Sequence, residues 1–170
     1  MGASLKIVAM GILAAVIYGE LQDNTLIGYC PEYFTVFHPD IFGTHDLRLL
    51  ALGWGFVATW WVGLLLGIAL AACAQGGPRP QVSWRQLLPG ICLVFGVTAA
   101  ITGLVFVGAG AAGFTAPAYA LGRAADLDQA TQGKVSYMLA AYNASYLTAF
   151  LGGVALCIQT WVRRKKLAHP

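Results

Sequence analysis

Residues 49–73 read LLALGWGFVATWWVGLLLGIALAAC, and this apolar stretch decides the fold of the chain. It is 25 residues long and has no charged side chain. Because a helix needs about 20 apolar residues to cross the hydrocarbon core of a bilayer, the stretch predicts a transmembrane helix. Three further apolar stretches lie at about 5–21, 87–114 and 137–162. The sequence therefore predicts an all-α, polytopic membrane protein in which residues 1–170 form one domain of four transmembrane helices.

The composition agrees with a membrane protein rather than a soluble domain. Charged residues make up 10% of the chain and hydrophobic residues 58%, whereas about 25% of a typical soluble domain is charged. The net charge of +3 does not indicate nucleic-acid binding, because the basic residues lie at the ends of the apolar stretches and not on one soluble face. The lipid bilayer is accordingly the first partner that the composition predicts.

The distribution of charge predicts how the chain is oriented. The acidic residues lie in or beside the segments 22–48 and 115–136, and they are Glu20, Asp23, Glu32, Asp40, Asp46, Asp126 and Asp128. Most basic residues lie in the other polar segments, at Lys6, Arg79, Arg85, Arg163, Arg164, Lys165 and Lys166. Since Lys and Arg are retained on the cytoplasmic side, both termini and residues 74–86 are predicted to be cytoplasmic. Loops 22–48 and 115–136 are then external, which in a bacterial inner membrane means periplasmic.

The first span and the basic run near the C-terminal end of the sequence each allow more than one interpretation. The apolar part of the first span, between Lys6 and Glu20, is short, so a removable secretory signal is the competing interpretation of that span. The basic run at 163–166 is interpreted as a topology anchor, with a patch for lipid headgroups or a protein partner as the alternative. Residues 123–132 are expected to form a short surface helix.

Small residues recur at every fourth position of two spans and predict helix packing. They are Ala51, Gly55, Thr59, Gly63, Gly67 and Ala71 in the second span, and Ala141, Ser145, Ala149, Gly153 and Cys157 in the fourth. Such stripes let membrane helices approach backbone to backbone. We expect them to pack within the bundle, or alternatively to receive a partner subunit.

The first external loop is rich in aromatic residues and is the segment most suited to a site. Within fourteen positions it carries Tyr29, Tyr33, Phe34, Phe37 and Phe42, so it is expected to lie on the mouth of the bundle. Its candidate metal ligands are Glu32, His38, His45 and Asp46, since carboxylates and imidazoles together bind divalent metals. Their spacing matches no established metal signature. A structural lid without metal is the alternative, and the sequence identifies no cofactor.

Polar side chains within the spans are few. The fourth span carries Tyr142, Asn143, Ser145, Tyr146 and Thr148. Thr98 and Thr102 of the third span are expected to bond to their own helix carbonyls. No charge lies in the middle of a span, which argues against ion-coupled transport. The chain also has no nucleotide-binding glycine loop, no HExxH and no Ser-His-Asp set, so no catalytic residue is predicted.

One run of sequence resembles a family of small bacterial integral membrane proteins of unsettled function. That family carries a Cys-x-Glu-Tyr-Phe-Thr-x-x-His-Pro motif in its first external loop. The matching residues here are Tyr18, Gly19, Asp23, Cys30, Glu32, Tyr33, Phe34, Thr35, His38 and Pro39. The resemblance extends to parts of the second and fourth spans. This sequence has Gln22 and Tyr142 where the family pattern has histidines, so a histidine site of the family would be incomplete here.

The sequence leads to two hypotheses of function. The first is a non-catalytic accessory subunit that packs against a larger membrane complex, which the small-residue stripes favour. The second is a membrane-embedded protein, either a binding protein or an enzyme, that binds a metal or a small molecule through the Glu32 and His38 loop.

Overall fold

The computed structural model describes residues 2–168, and over that range the chain is helical without β-strands. The long helices are α1 (Ala3–Leu26), α2 (Leu47–Gln75), α3 (Trp84–Ala111) and, after the short α4 (Ala118–Leu121), α5 (Gln129–Leu167). A π-helical turn at Tyr33–Phe37 and a 3₁₀ segment at Gly122–Asp126 complete the elements. The four long helices are long and apolar enough to cross a membrane. The all-α fold with four candidate spans is confirmed at this level.

Two of the long helices, α2 and α5, begin at a capping aspartate and not where hydropathy changes. The carboxylate of Asp46 accepts the backbone N–H groups of Arg48 and Leu49 at 2.9 and 3.1 Å, which starts α2. Asp128 starts α5 in the same way. The last helix therefore begins at residue 129 and not at the predicted 137. The prediction of a separate surface helix at 123–132 is wrong. The 3₁₀ segment ends at Asp126, and the residues from Gln129 onward belong to α5.

The closest helix contact lies between α1 and α2. A Cβ atom added at Gly63 would lie 2.5 Å from the carbonyl oxygen of Gly11, and one added at Gly19 would lie 2.6 Å from that of Gly55. The two backbones therefore touch with no room for a methyl group between them. The stripe predicted in the second span forms the α2 side of this contact, whereas packing by Gly11 and Gly19 of α1 was not predicted.

The predicted packing stripes both face inward in the structure. In α2, Gly67 meets the backbone of Val8, and Thr59 donates its hydroxyl to its own helix, at the Gly55 carbonyl oxygen. In α5, Ser145 is buried and Gly153 faces the Leu66 side chain of α2. Ala149, between these two α5 residues, lines the interior of the bundle. Neither stripe is left uncovered for a partner chain, within the residues that the structure describes.

A buried arginine closes the end of the bundle opposite the aromatic loop. Arg164 has no exposed surface. Its guanidinium donates to the carbonyl oxygens of Cys73, Gly76, Arg79 and Pro80 at 2.7, 2.8, 2.9 and 2.8 Å. These acceptors lie at the C-terminal end of α2 and in the turn after it, where backbone carbonyls lack partners within the helix. We call this arrangement the Arg164 clamp.

The Arg164 clamp adds a structural role to the basic run at 163–166, whose interpretation as a topology anchor or a headgroup or partner patch stays a prediction. Arg163, Lys165 and Lys166 are exposed, as expected of such a patch. Arg164 points the other way, because a guanidinium has five N–H donors in a planar fork and the turn offers it several carbonyl acceptors. One of the four basic residues is therefore part of the folded interior.

Candidate functional site

The polar centre of the molecule is a buried pair between α1 and α5. The carboxyl of Asp23 is only 3% exposed. The Tyr142 hydroxyl donates to its Oδ1 atom at 2.5 Å. A buried carboxyl group is costly unless it is hydrogen-bonded, so Tyr142 stabilises Asp23 where it stands. The sequence pointed to each residue separately, but only the fold brings them together, since they are 119 positions apart.

An aromatic lid covers this pair. We define the lid as Tyr33, Phe34 and Phe37 of the π-helical turn, with His38 that follows it and Trp54 of α2. The Tyr33 ring stacks on the Tyr142 ring, with centroids 5.0 Å apart and planes 10° apart. The His38 ring lies 4.3 Å from that of Trp54. The loop therefore lies on the end of the bundle, as its aromatic content predicts.

The hydrogen bonds of the lid fix its imidazole. The Nδ1 atom of His38 lies 2.7 Å from the carbonyl oxygen of Tyr33. Because a carbonyl only accepts, this nitrogen carries the proton and Nε2 keeps its lone pair. Burial lowers the pKa of His38, partly opposed by the Tyr33 carbonyl, and it raises the pKa of the Tyr33 phenol. Arg123 donates to the His38 carbonyl and ties the 3₁₀ segment to the lid.

The four predicted metal ligands do not converge. Glu32 accepts a long hydrogen bond from the thiol of Cys30, at 3.5 Å. Asp46 is the cap of α2, and His45 is exposed. Across residues 2–168, no three His, Cys, Asp or Glu side chains are grouped so as to hold a metal ion. Metal binding by Glu32, His38, His45 and Asp46 stays a prediction that these contacts do not favour.

The thiol of Cys30 provides a test of how tightly the lid is packed. The side chain has no exposed surface, and burial raises its pKa from 9.0 to about 11. At pH 8 the folded protein should therefore hold about 100-fold less reactive thiolate than the unfolded chain, and a maleimide should also be excluded sterically. We expect labelling in a variant whose only cysteine is Cys30 to be at least 100-fold slower before unfolding than after it. Similar rates in both states would contradict a packed lid.

Beneath the lid, a cavity of about 140 Å³ runs between α1, α2, α3 and α5. Most of its wall is apolar, and the small residues of the packing stripes form much of it, including Gly55, Gly63, Ala149 and Gly153. Its polar wall residues are Tyr18, Gln22, Asp23, Thr59, Thr98, Tyr142, Ser145 and Tyr146. The cavity is therefore amphipathic. Its apolar part, which we call the shaft, continues to the buried pair of Asp23 and Tyr142.

Two residues of the cavity wall carry polar groups without partners. Among the described residues, both amide atoms of Gln22 and the hydroxyl of Thr98 are buried and make no hydrogen bond. Thr98 is only 1% exposed. The expectation that Thr98 and Thr102 bond to their own helix differs from the structure, because the Thr102 hydroxyl lies 3.0 Å from that of Tyr18. Unpartnered buried polar groups are uncommon and call for an explanation.

Comparison with protein-family models, with curated proteins and with solved structures found no significant match to this chain. The functional conclusion therefore rests on the geometry of the site.

Proposed function

We propose that this chain is a multi-pass membrane protein that binds a small amphipathic molecule in the cavity between its four helices. The observation that carries the proposal is that two residues in the wall of this mostly apolar cavity, Gln22 and Thr98, carry polar atoms without a hydrogen-bond partner. Leaving such atoms without a hydrogen bond costs about 1–3 kcal/mol each. A ligand with a polar group would recover part of that free energy, and its apolar body would fill the shaft.

The donors and acceptors of the wall narrow the chemistry of the ligand. The Gln22 amide and the Thr98 hydroxyl can each both donate and accept. A neutral head group with one O–H or N–H and one lone pair, such as a phenol, an alcohol or a primary amide, matches them. An anion does not match, because the carboxyl of Asp23 lines the same cavity. The ligand predicted here is therefore neutral or protonated.

The volume sets the size of the ligand. An apolar cavity of about 150 Å³ engineered in another protein holds one benzene ring. The present cavity, of about 140 Å³, fits an apolar body of that order. The role is one of binding, and the proposal contains no chemical step.

The accessory-subunit hypothesis loses one of its supports, the small-residue stripes, while Trp60 and Trp61 of α2 are exposed. It drew on stripes of small residues that could receive a partner, yet the α2 stripe packs on α1 and the α5 stripe faces α2 and the cavity. A larger membrane complex as partner stays a prediction. So does membership of the bacterial family whose loop motif the sequence resembles. Gln22 and Tyr142, the two positions at which the chain departs from that family, both line the cavity.

The orientation and location belong to the same proposal. The end of the bundle at which α1 and α3 begin carries Lys6 and Arg85, and no acidic residue lies in the sequence near it. We place this end in the cytoplasm of a bacterium and the aromatic lid in the periplasm, since Lys and Arg are retained inside.

The test uses 4-fluorophenol as the probe, followed by fluorine NMR with the protein in lipid nanodiscs. We expect saturable binding of one probe molecule per chain, above its partition into empty nanodiscs. Gln22→Leu and Thr98→Val should each weaken binding about 3- to 10-fold, because each removes about one hydrogen bond. Ala149→Leu should abolish binding by filling the shaft. Fluorobenzene, which lacks the hydroxyl, should bind more weakly than 4-fluorophenol.

The matched control is Gln159→Leu, which makes the same chemical change on an exposed part of α5 outside the cavity. It should bind the probe as the unmodified protein does. Equal binding by the Ala149→Leu variant, or no saturable binding at all, would contradict the proposal. Native mass spectrometry of protein extracted from its own membrane gives a second measurement. A single bound small molecule, seen as extra mass on the chain, supports ligand binding in the cavity. Co-migration with larger subunits supports the accessory-subunit hypothesis.

A further inference from the structure

A second recess lies on the outside of the bundle, between the first halves of α1 and α3. These two helices contact each other little, because α1 packs mainly on α2 and α3 mainly on α5. The space between them is an open groove of about 810 Å³. Its apolar wall includes Ala9, Leu13 and Ile17 of α1, with Leu88 and Phe95 of α3. It is separate from the proposed ligand cavity, although Ala14, Ile91 and Phe95 line both.

Two basic side chains stand at one end of the groove. Lys6 of α1 and Arg85 of α3 both line it, and both are exposed. Neither side chain makes a hydrogen bond or ion pair with any of the described residues 2–168. The guanidinium of Arg85 lies over the Trp84 ring, 5.4 Å from its centre, which holds it beside the groove.

The arrangement of the groove, with positive charge at one end and an apolar wall beyond it, matches the head group and acyl chain of a phospholipid. The basic pair lies at the helix beginnings, and the apolar wall continues toward the middle of the spans. No carboxylate lines the groove. A cationic end attracts a phosphate, and a half-open apolar channel in the bilayer accepts an acyl chain.

We propose that the groove between α1 and α3 is a binding site for one anionic phospholipid. Its phosphate lies between Lys6 and Arg85, and an acyl chain lies along Ala9, Leu13 and Leu88. The site differs from general attraction of anionic lipid to a basic surface, because it joins two charges to a shaped apolar channel. It is also independent of the ligand proposed for the interior cavity.

The experiment places the protein in nanodiscs that contain equal amounts of phosphatidylglycerol and phosphatidylcholine with the same acyl chains. Native mass spectrometry then measures which lipid stays bound to the protein after the protein is released from the nanodisc. One basic residue near a surface favours anionic lipid by a few-fold, so two favour it by about 5- to 30-fold. We expect one retained lipid per chain, enriched in phosphatidylglycerol to that degree. The double variant Lys6→Gln, Arg85→Gln should lose the enrichment.

Two further variants distinguish a specific lipid site from general attraction of anionic lipid to a basic surface. Arg163→Gln with Lys165→Gln removes the same charge from exposed positions that do not line the groove, and it should keep the enrichment. Ala9→Phe leaves every charge in place but obstructs the channel, and it should lose the bound lipid. Equal loss in the Arg163 and Lys165 variant would overturn the proposal in favour of a non-specific basic surface. A lipid-free dimer, or displacement of the lipid by inorganic phosphate, would overturn it as well.

Discussion

Replacement of Arg164 by alanine is expected to destabilise the protein by about 3–5 kcal/mol, because four backbone carbonyls lose a charged hydrogen-bond donor and the buried side chain leaves a void. The guanidinium donates four hydrogen bonds to carbonyl oxygens in the segment 73–80. Without it these carbonyls lose their donor, and a void opens where the buried Arg164 side chain lay. The stability is measured by denaturation in mixed detergent micelles.

The neighbouring residue gives the matched control for this prediction. Arg163 is exposed and lies in the same turn of α5. Arg163→Ala removes the same charge, and we expect it to change the stability by less than about 0.5 kcal/mol. Arg164→Lys should recover only part of the loss, because an ammonium group cannot reproduce the planar fork of donors. Equal effects of the two alanine substitutions would show that charge, and not the Arg164 clamp, matters.

A single methyl group at Gly63 is the second change with a large expected effect. In Gly63→Ala the new Cβ would lie 2.5 Å from the Gly11 carbonyl oxygen and 2.8 Å from the Cα of Ile12. Both are backbone atoms, so the whole of α1 must move away from α2. Overpacking of this kind costs about 1–3 kcal/mol, occasionally more, and we expect the upper part of that range. Denaturation and the yield of folded protein both measure it.

Another glycine provides the opposite expectation for the same substitution. Gly103 of α3 has no atom within 4 Å of an added Cβ. Because alanine has a higher helix propensity than glycine, Gly103→Ala should leave the stability unchanged or raise it by up to about 1 kcal/mol. If Gly63→Ala and Gly103→Ala destabilise the protein to the same extent, the cost does not come from a close contact between α1 and α2.

The spans were predictable because hydropathy reports the solvent of a helix directly. Residues 49–73 carry that signal without interruption, and α2 extends beyond them by only two residues at each end. The start of α5 was not predictable from hydropathy, because helix formation depends on the cap at Asp128 while hydropathy reports only the apolar part. The helix therefore extends into the polar segment that was expected to be a loop.

The candidate site was predictable only in part. The aromatic composition of the loop indicated a lid, and the structure shows Tyr33 stacked on Tyr142. The pairing of Asp23 with Tyr142 depends on how α1 and α5 are rotated against each other, which no local pattern encodes. The role of Arg164 was hidden for a related reason. In sequence it is one of four adjacent basic residues, and only its position around the helix separates it from the others.

The Arg164 clamp joins groups that are made at different times. Its acceptor at Cys73 precedes it by 91 residues, so α3 and most of α5 are translated before the donor exists. Until then the carbonyls at the end of α2 can bond only to water. A ribosome that stalls before residue 164 would leave this turn unsealed, and incompletely stabilised chains are those that cellular proteases remove. The turn after α2 is therefore completed only once this part of α5 has been synthesised.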